Sequence, residues 1–150
     1  MSYLDTIEVD MATDTIEQRL AKRIERKRGN VFLRRDFADL GGYDQVGRAL
    51  RGLVRQGKLL RIGQGLYARA KLSSLSGKVI PAAGFAEITR EALRRLGIRP
   101  QPTRLERLYR AGRSTQVLTG RVVGVARRVR RKIGYDGIYA SFERGRPGAD

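Results

Sequence analysis

The first patterned segment of the chain has apolar residues at the spacing of an amphipathic helix. Ile16, Leu20 and Ile24 recur every four residues, and basic side chains are frequent between them. Asp14, followed three residues later by Glu17, is typical of a capping box, in which each side chain accepts a hydrogen bond from the other residue's free backbone N–H. We therefore predict a helix that begins at this box and ends at the next glycine.

Shorter patterns predict the elements that follow. Residues 31–33 (VFL) favour a short strand, and Phe37 and Leu40 anchor a short second helix that ends in a glycine pair. Residues 43–57 (YDQVGRALRGLVRQG) have helical periodicity, and residues 58–70 contain two short β-rich runs around a Gly-Gln-Gly turn, which is typical of a hairpin. The order of helix, strand, helix, turn, helix and hairpin predicts a winged helix-turn-helix.

The second half combines helical and strand patterns. Helices are predicted around residues 84–97 and 103–112, and β-rich stretches occur at residues 117–125, 129–133 and 138–142. We predict an α+β protein with antiparallel strands in this half. Its predicted parts are a flexible leader (1–12), a winged helix-turn-helix DNA-binding domain (13–70), a polar linker (71–78) and a basic α+β domain (79–150).

The charge of the chain indicates which class of partner the protein binds. The 150 residues contain 32 Lys+Arg and 15 Asp+Glu, a net charge of +17. Residues 13–78 and 79–150 each contain 16 basic and 6 acidic residues, so each half carries +10. A field of this sign over the whole folded part attracts polyanions, and it favours a nucleic acid over the alternative of a generally basic soluble protein.

Several residue types and segments that the sequence lacks exclude other classes of function. The chain has no Cys and no His, which excludes disulfides, thiolate metal sites and a histidine general base. Asp36 and Asp39 lack the paired spacing of metal-dependent nucleases, so we expect no enzyme activity, no metal and no cofactor.

Apolar runs are too short to cross a bilayer, and no signal-peptide pattern opens the chain. We therefore expect no membrane contact and a cytoplasmic, nucleoid-associated protein.

The predicted third helix carries the candidate DNA contacts. Its apolar residues fall on one face, and its arginines fall on the other, where an ordinary solvent-exposed face is the alternative interpretation. In a winged helix this element enters the major groove, where Arg can bond guanine and Gln can bond adenine. The predicted base-contacting residues are Asp44, Gln45, Arg48 and Arg51. The predicted phosphate or wing contacts are Tyr43, Arg55, Lys58, Arg61, Gln64 and Arg69.

Two further features of the sequence bear on DNA. Gly47 and Gly52 flank the outer face of the third helix, which predicts a close approach of its backbone to DNA. In the second half, Arg127, Arg128, Arg130 and Lys132 form a second basic surface. If this segment is a strand, one of its faces is basic; that face either follows phosphates or is an edge strand protected from aggregation by charge.

Residues 23–70 (RIERKRGNVFLRRDFADLGGYDQVGRALRGLVRQGKLLRIGQGLYARA) resemble the N-terminal winged-helix segment of AbiEi-like proteins, the antitoxins of type IV toxin–antitoxin systems. Residues 112–142 are similar to the small C-terminal region of short members of that group. The resemblance implies a bacterial protein that binds double-stranded operator DNA and represses its own operon, with a nucleotidyltransferase-like toxin as cognate partner.

The sequence thus predicts a sequence-specific repressor of antitoxin type. Because a single winged helix contacts only a short half-site, we expect a homodimer or several copies on DNA. The main alternative is an interaction protein or antitoxin that neutralises a partner through residues 79–150, with DNA binding secondary. A third possibility, an RNA- or ribosome-associated protein, is disfavoured because the aromatic residues are few and lie mostly at core spacing.

Overall fold

The computed structural model describes residues 14–113 and 120–145. The predicted leader (1–12) and the start of the predicted strand at residues 117–119 lie outside the described residues. The described elements are helices and mainly antiparallel strands, so the chain is an α+β protein. Among the described residues, no helix has the length and apolar character needed to cross a bilayer.

The first half contains six elements in the predicted order. They are α1 (Ile16–Arg26), β1 (Val31–Leu33), a 3-10 helix (Arg34–Leu40), α2 (Tyr43–Arg55), β2 (Leu59–Gly63) and β3 (Leu66–Leu72). The third predicted helix and the hairpin after it are therefore confirmed as α2 and as the antiparallel pair β2–β3. Gly65 in the hairpin turn has a φ of 67°, a conformation that glycine adopts without a steric penalty.

The start of α1 lies one residue later than the sequence suggested. Thr15 Oγ1 accepts from the Gln18 N–H at 3.1 Å, and Gln18 Oε1 accepts from the Thr15 N–H at 2.8 Å. This pair, and not Asp14 with Glu17, forms the capping box. Asp14 instead pairs with Lys22 at 2.5 Å, which leaves the Glu17 carboxylate available to contact α2.

The second half adds two more sheets and two more helices to the described part of the chain. Its elements are β4 (Val79–Pro81), α3 (Phe85–Arg95), β5 (Pro100–Gln101), α4 (Arg104–Arg110), β6 (Val122–Val125), β7 (Gly134–Tyr135), β8 (Ile138–Tyr139) and β9 (Ser141–Arg144). Strands β5 and β6 are antiparallel, and so are β7 and β8. Strand β9 pairs in parallel with β6, so this sheet is mixed and not purely antiparallel as expected.

The first sheet connects the two halves. Its strands lie in the order β1-β3-β2, and the far end of β3 pairs with β4. Residues 71–78, predicted as a linker, contain the last two residues of β3 and the turn that leads to β4. A strand that pairs with both sides of this turn holds them together through backbone hydrogen bonds.

Both faces of this sheet are buried, each in its own apolar cluster. Phe32, Leu59 and Tyr67 pack with residues of α1, the 3-10 helix and α2. On the other face, the cluster joins two sets of buried residues. The set from the sheet is Val31, Leu33, Ile62, Leu66 and Ala68, and the set from the second half is Ile88, Ala92, Leu93, Ile98, Val123, Val125 and Ile133. The core therefore crosses the predicted domain boundary.

Polar contacts strengthen the same junction. The outward N–H of Val31 on edge strand β1 donates to Glu91 Oε2 of α3 at 2.6 Å, and the Asn30 N–H donates to the same oxygen at 2.8 Å. Asp36 accepts from the Leu33 N–H at 2.9 Å and also pairs with an arginine at the end of α3. Carboxylates thus occupy the open donors of an edge strand that would otherwise be free to pair with another chain.

Candidate nucleic-acid interface

The outer face of α2 is exposed and mainly basic. Asp44, Arg48, Arg51 and Arg55 are all exposed, while the opposite face of the helix is buried in the core. Within the part of the chain that the structure describes, these four side chains form no hydrogen bond and no ion pair. Their charged groups are therefore directed to solvent and available to an external partner.

Gln45 differs from the other predicted base contacts. Its Oε1 atom accepts a hydrogen bond from the Gly42 N–H at 3.0 Å. This bond satisfies one of the free backbone donors at the start of α2, which has no side-chain cap from Gly42 itself. The structure therefore gives Gln45 a capping role at the helix N-terminus, and its oxygen is engaged by the backbone.

The two glycines of α2 serve packing within the protein. Both are buried, and a Cβ atom on Gly47 would collide with the guanidinium of Arg34. A Cβ atom on Gly52 would lie 2.6 Å from the carboxylate of Glu17, which also accepts a hydrogen bond from Gln56. The expected close approach of these glycines to DNA is wrong, because neighbouring side chains already occupy the space beside them.

Tyr43 lies at the first turn of α2 with 72% of its surface exposed. The guanidinium of Arg34 lies over its ring, 3.9 Å from the centroid. This is within the range of a cation–π contact, in which the ring face stabilises the positive charge. Arg34 begins the 3-10 helix and is not among the site residues predicted from the sequence.

The β2–β3 hairpin presents three of its four predicted contacts. Lys58, Arg61 and Gln64 are exposed, and Arg61 Nε donates to the carbonyl of Gly63 at 3.3 Å. These side chains surround the hairpin turn or the start of β2. Their polar groups therefore lie at the surface beside α2.

Arg69 is the exception in the hairpin. Its Nη2 atom donates to the carbonyls of Ile24 and Lys27 at 2.9 Å and of Gly29 at 3.2 Å. Its guanidinium lies 5.2 Å from the ring centroid of Phe32. Arg69 therefore satisfies free carbonyls at the C-terminal end of α1, where a cation is favourable, and is not available to a DNA phosphate.

The second basic surface is a loop and not the strand that its alternation suggested. Residues 126–133 are irregular between β6 and β7. The predicted surface residues Arg127, Arg128, Arg130 and Lys132 are all exposed. The strand prediction is wrong because residues 126–133 form no ladder of backbone hydrogen bonds with a strand among the described residues.

Contacts with the turn place this basic loop next to the hairpin. Arg131 donates to the carbonyl of Gln64, and a Cβ atom on Gly63 would lie 2.9 Å from the carbonyl oxygen of Lys132. Gly63 therefore permits a close approach of the two backbones. Lys132 also lies 5.6 Å from the ring centroid of Tyr139. Residues about 70 positions apart thus form one surface.

Two adjoining clefts follow this surface. The larger, of about 900 Å³, lies between α2, the 3-10 helix and the hairpin turn. The smaller, of about 530 Å³, lies between the turn and the basic loop. Both are lined by Arg61, Gln64 and Arg131. The outer face of α2, the hairpin turn and the loop are therefore parts of one continuous basic surface.

The carboxylates considered for catalysis have other partners. Arg23 forms a two-bond contact with Asp39, at 2.5 and 2.7 Å, and this holds the pKa of Asp39 below its usual value. The same contact raises the pKa of Arg23. Asp36 accepts a hydrogen bond from the Leu33 N–H and pairs with Arg95. Among the described residues, no three acidic, His or Cys side chains are grouped as metal ligands.

The geometry defines an α+β protein with one basic surface built from both halves of the chain. A family model matches residues 16–147, so the chain belongs to a family of unknown function, DUF6088. The match begins at α1 and extends beyond β9, in agreement with a core that is shared along the chain. Comparison with curated proteins and with solved structures found no match.

Proposed function

We propose that this protein binds double-stranded DNA sequence-specifically through a winged helix-turn-helix formed by residues 14–72. In this proposal α1, the 3-10 helix and α2 are the three helices, and the β2–β3 hairpin is the wing. The element order and the antiparallel pairing of β1, β3 and β2 support it. In such a module the third helix enters the major groove, and the wing contacts the adjacent backbone.

The observation that carries the proposal is the outer face of α2. Arg48, Arg51 and Arg55 are exposed there, with no partner among the described residues. Their guanidinium groups can each donate two hydrogen bonds to guanine O6 and N7 or contact a phosphate. Asp44, exposed at the start of the same face, can accept from cytosine N4. Among the described residues these three arginines form no ion pair, so an anionic duplex would relieve the repulsion between them.

The position of the basic loop supports an interface larger than a single winged helix. Arg128 and Arg130 are exposed on a loop that contacts the hairpin turn. They would therefore extend the phosphate contacts of the wing along the duplex. This arrangement favours a DNA-contacting role for the second half over the alternative in which residues 79–150 act only on a protein partner.

The biological role that we propose is autoregulation of antitoxin type, and it rests on the resemblance to AbiEi-like proteins. The protein would repress its own operon, with two copies on an operator whose half-sites are about 10 bp or a multiple apart. A nucleotidyltransferase-like toxin would be its partner. A gene for such an enzyme next to the protein's own gene would support this role.

Fluorescence anisotropy with the protein's own upstream region and a shuffled duplex of equal length tests the DNA proposal. We expect the upstream duplex to bind more tightly at two salt concentrations. Arg48→Ala or Arg51→Ala should abolish most of this preference, since one bidentate base contact discriminates by about 1–3 kcal/mol. Lys71→Ala is the control, because Lys71 is exposed at the end of β3 away from the hairpin turn. Equal affinity of the wild-type protein for both duplexes would refute sequence-specific repression.

A further inference from the structure

The larger cleft has an unusual concentration of positive charge. It is lined by Arg34, Arg35, Arg51, Arg55, Arg61 and Arg131, and no Asp or Glu of the described residues lines it. Six guanidinium groups around one cavity repel one another, and the low-dielectric walls of a cleft strengthen that field. A ligand with several negative charges would convert this repulsion into attraction.

Arg34 is one of the cleft arginines, and among the described residues it has no acidic partner. Its Nε atom is buried and has no hydrogen-bond partner within residues 14–113 and 120–145, and its guanidinium lies between the Tyr43 ring and Gly47. The nearby acids of the 3-10 helix are already engaged, Asp36 with Arg95 and Asp39 with Arg23. Because a buried donor without a partner costs free energy, an anion bound beside Arg34 would stabilise it.

The floor of the cleft is apolar, in contrast to the charged residues around it. It is formed by the apolar side chains Leu33, Val46, Val54 and Leu96 together with the Tyr67 ring. Tyr43 at the rim is 72% exposed, and Arg34 contacts its ring. Val54 and Leu96 are only half-buried, so a phosphate ion alone would leave their apolar surface in contact with water. A planar, weakly polar ring attached to the phosphates would cover them.

From this combination we propose that the cleft binds a nucleotide, with its phosphates on the arginines and its base against the apolar floor and Tyr43. The volume of about 900 Å³ is in the range of sites for cofactor-sized ligands. Arg51, Arg55 and Arg61 line the cleft and also belong to the proposed DNA surface. The site is therefore a binding site additional to the DNA contact, placed where its ligand would meet the same arginines.

Calorimetric titration of the full chain with ATP, inorganic tripolyphosphate and adenosine tests this site at about 150 mM KCl, where diffuse charge attraction is screened. We expect saturable one-to-one binding of ATP, about tenfold tighter than that of tripolyphosphate, and no detectable binding of adenosine. Arg34→Gln and Tyr43→Ala should each weaken ATP binding by about tenfold. Tyr43→Ala keeps the test valid even if Arg34→Gln fails to fold, since it removes an exposed ring.

Lys71→Gln is the charge-matched control, five residues along β3 from Leu66 at the hairpin turn, ~16 Å away. It should change ATP affinity by less than about twofold. The proposal is overturned by an absence of saturable ATP binding, by equal affinity for tripolyphosphate, or by equal effects of Lys71→Gln and Arg34→Gln. The titration contains no DNA. ATP binding without sequence-specific DNA binding would therefore refute only the proposed function, and the reverse result would refute only the nucleotide site.

Discussion

Glu91 of α3 provides the sharpest test of how the two halves are joined. Its Oε2 atom accepts from the Asn30 N–H at 2.8 Å and from the Val31 N–H at 2.6 Å, at the start of edge strand β1. A hydrogen bond to a charged group contributes about 1.5–3 kcal/mol, and loss of its acceptor leaves a donor unsatisfied. Because Asn30 and Glu91 are only partly buried, water can replace some of the lost interaction. We therefore expect Glu91→Ala to lower the free energy of unfolding by about 2–3 kcal/mol.

Thermal denaturation followed by circular dichroism measures this loss. At roughly 3 °C per kcal/mol for a chain of this length, the Tm of Glu91→Ala should fall by about 6–9 °C. Glu91→Gln retains an acceptor oxygen without the charge, so we expect it to lose about half as much. Glu87→Ala is the matched control, because Glu87 is exposed one turn earlier on the same helix. A Glu91→Ala protein as stable as the wild type, or an equal loss in Glu87→Ala, would refute the role of this carboxylate.

Three further predictions follow from the described contacts. Arg130→Ala should weaken binding of specific and random duplexes equally and make the slope of log K against log salt less steep by about 0.9; an unchanged slope would exclude a phosphate contact. The hydrogen bond from Arg23 lowers the pKa of Asp39 in the folded state. The stabilisation that this bond contributes is therefore present above about pH 4, and it is lost as the pH falls through the folded-state pKa of Asp39. The stabilities of wild type and Asp39→Asn, measured by denaturant unfolding, should therefore converge at low pH, and a constant difference would contradict this. Gly47→Ala should displace Arg34 and weaken ATP binding by about tenfold without lowering Tm, because Ala favours a helix over Gly by about 1 kcal/mol; a lower Tm with unchanged ATP binding would contradict it.

Local elements were predicted well because their signals are local. Helical periodicity in residues 43–57 predicted α2 within a few residues. Two β-rich runs on either side of a glycine-containing turn predicted the β2–β3 hairpin equally closely. The prediction of a strand at residues 129–133 was wrong although its alternation is real: Arg128, Arg130 and Lys132 are exposed, and Ile133 is buried. Alternation shows which side chains are exposed, but a strand also needs a partner strand to pair with in register, and among the described residues this segment has none.

The candidate site was predicted only in part. Periodicity alone placed Arg48, Arg51 and Arg55 on the exposed face of α2. It could not show that the Gln45 oxygen caps the helix or that Arg69 bonds carbonyls at the end of α1. A side chain's partners depend on what the fold brings next to it, and those groups lie outside the sequence window that defines a helix face.

The sequence by itself determined the order of the elements in the first half, the amphipathic faces of the helices and the excess of positive charge, since each depends on residue type and short spacing. Only the tertiary structure decided that both halves share one core, and that Arg131 reaches the hairpin turn at Gln64. It also decided that Arg34, on the 3-10 helix, faces the same cleft as Arg51 of α2. These relations arise from the packing of apolar faces, which minimises exposed apolar area over the whole chain and brings together residues distant in sequence.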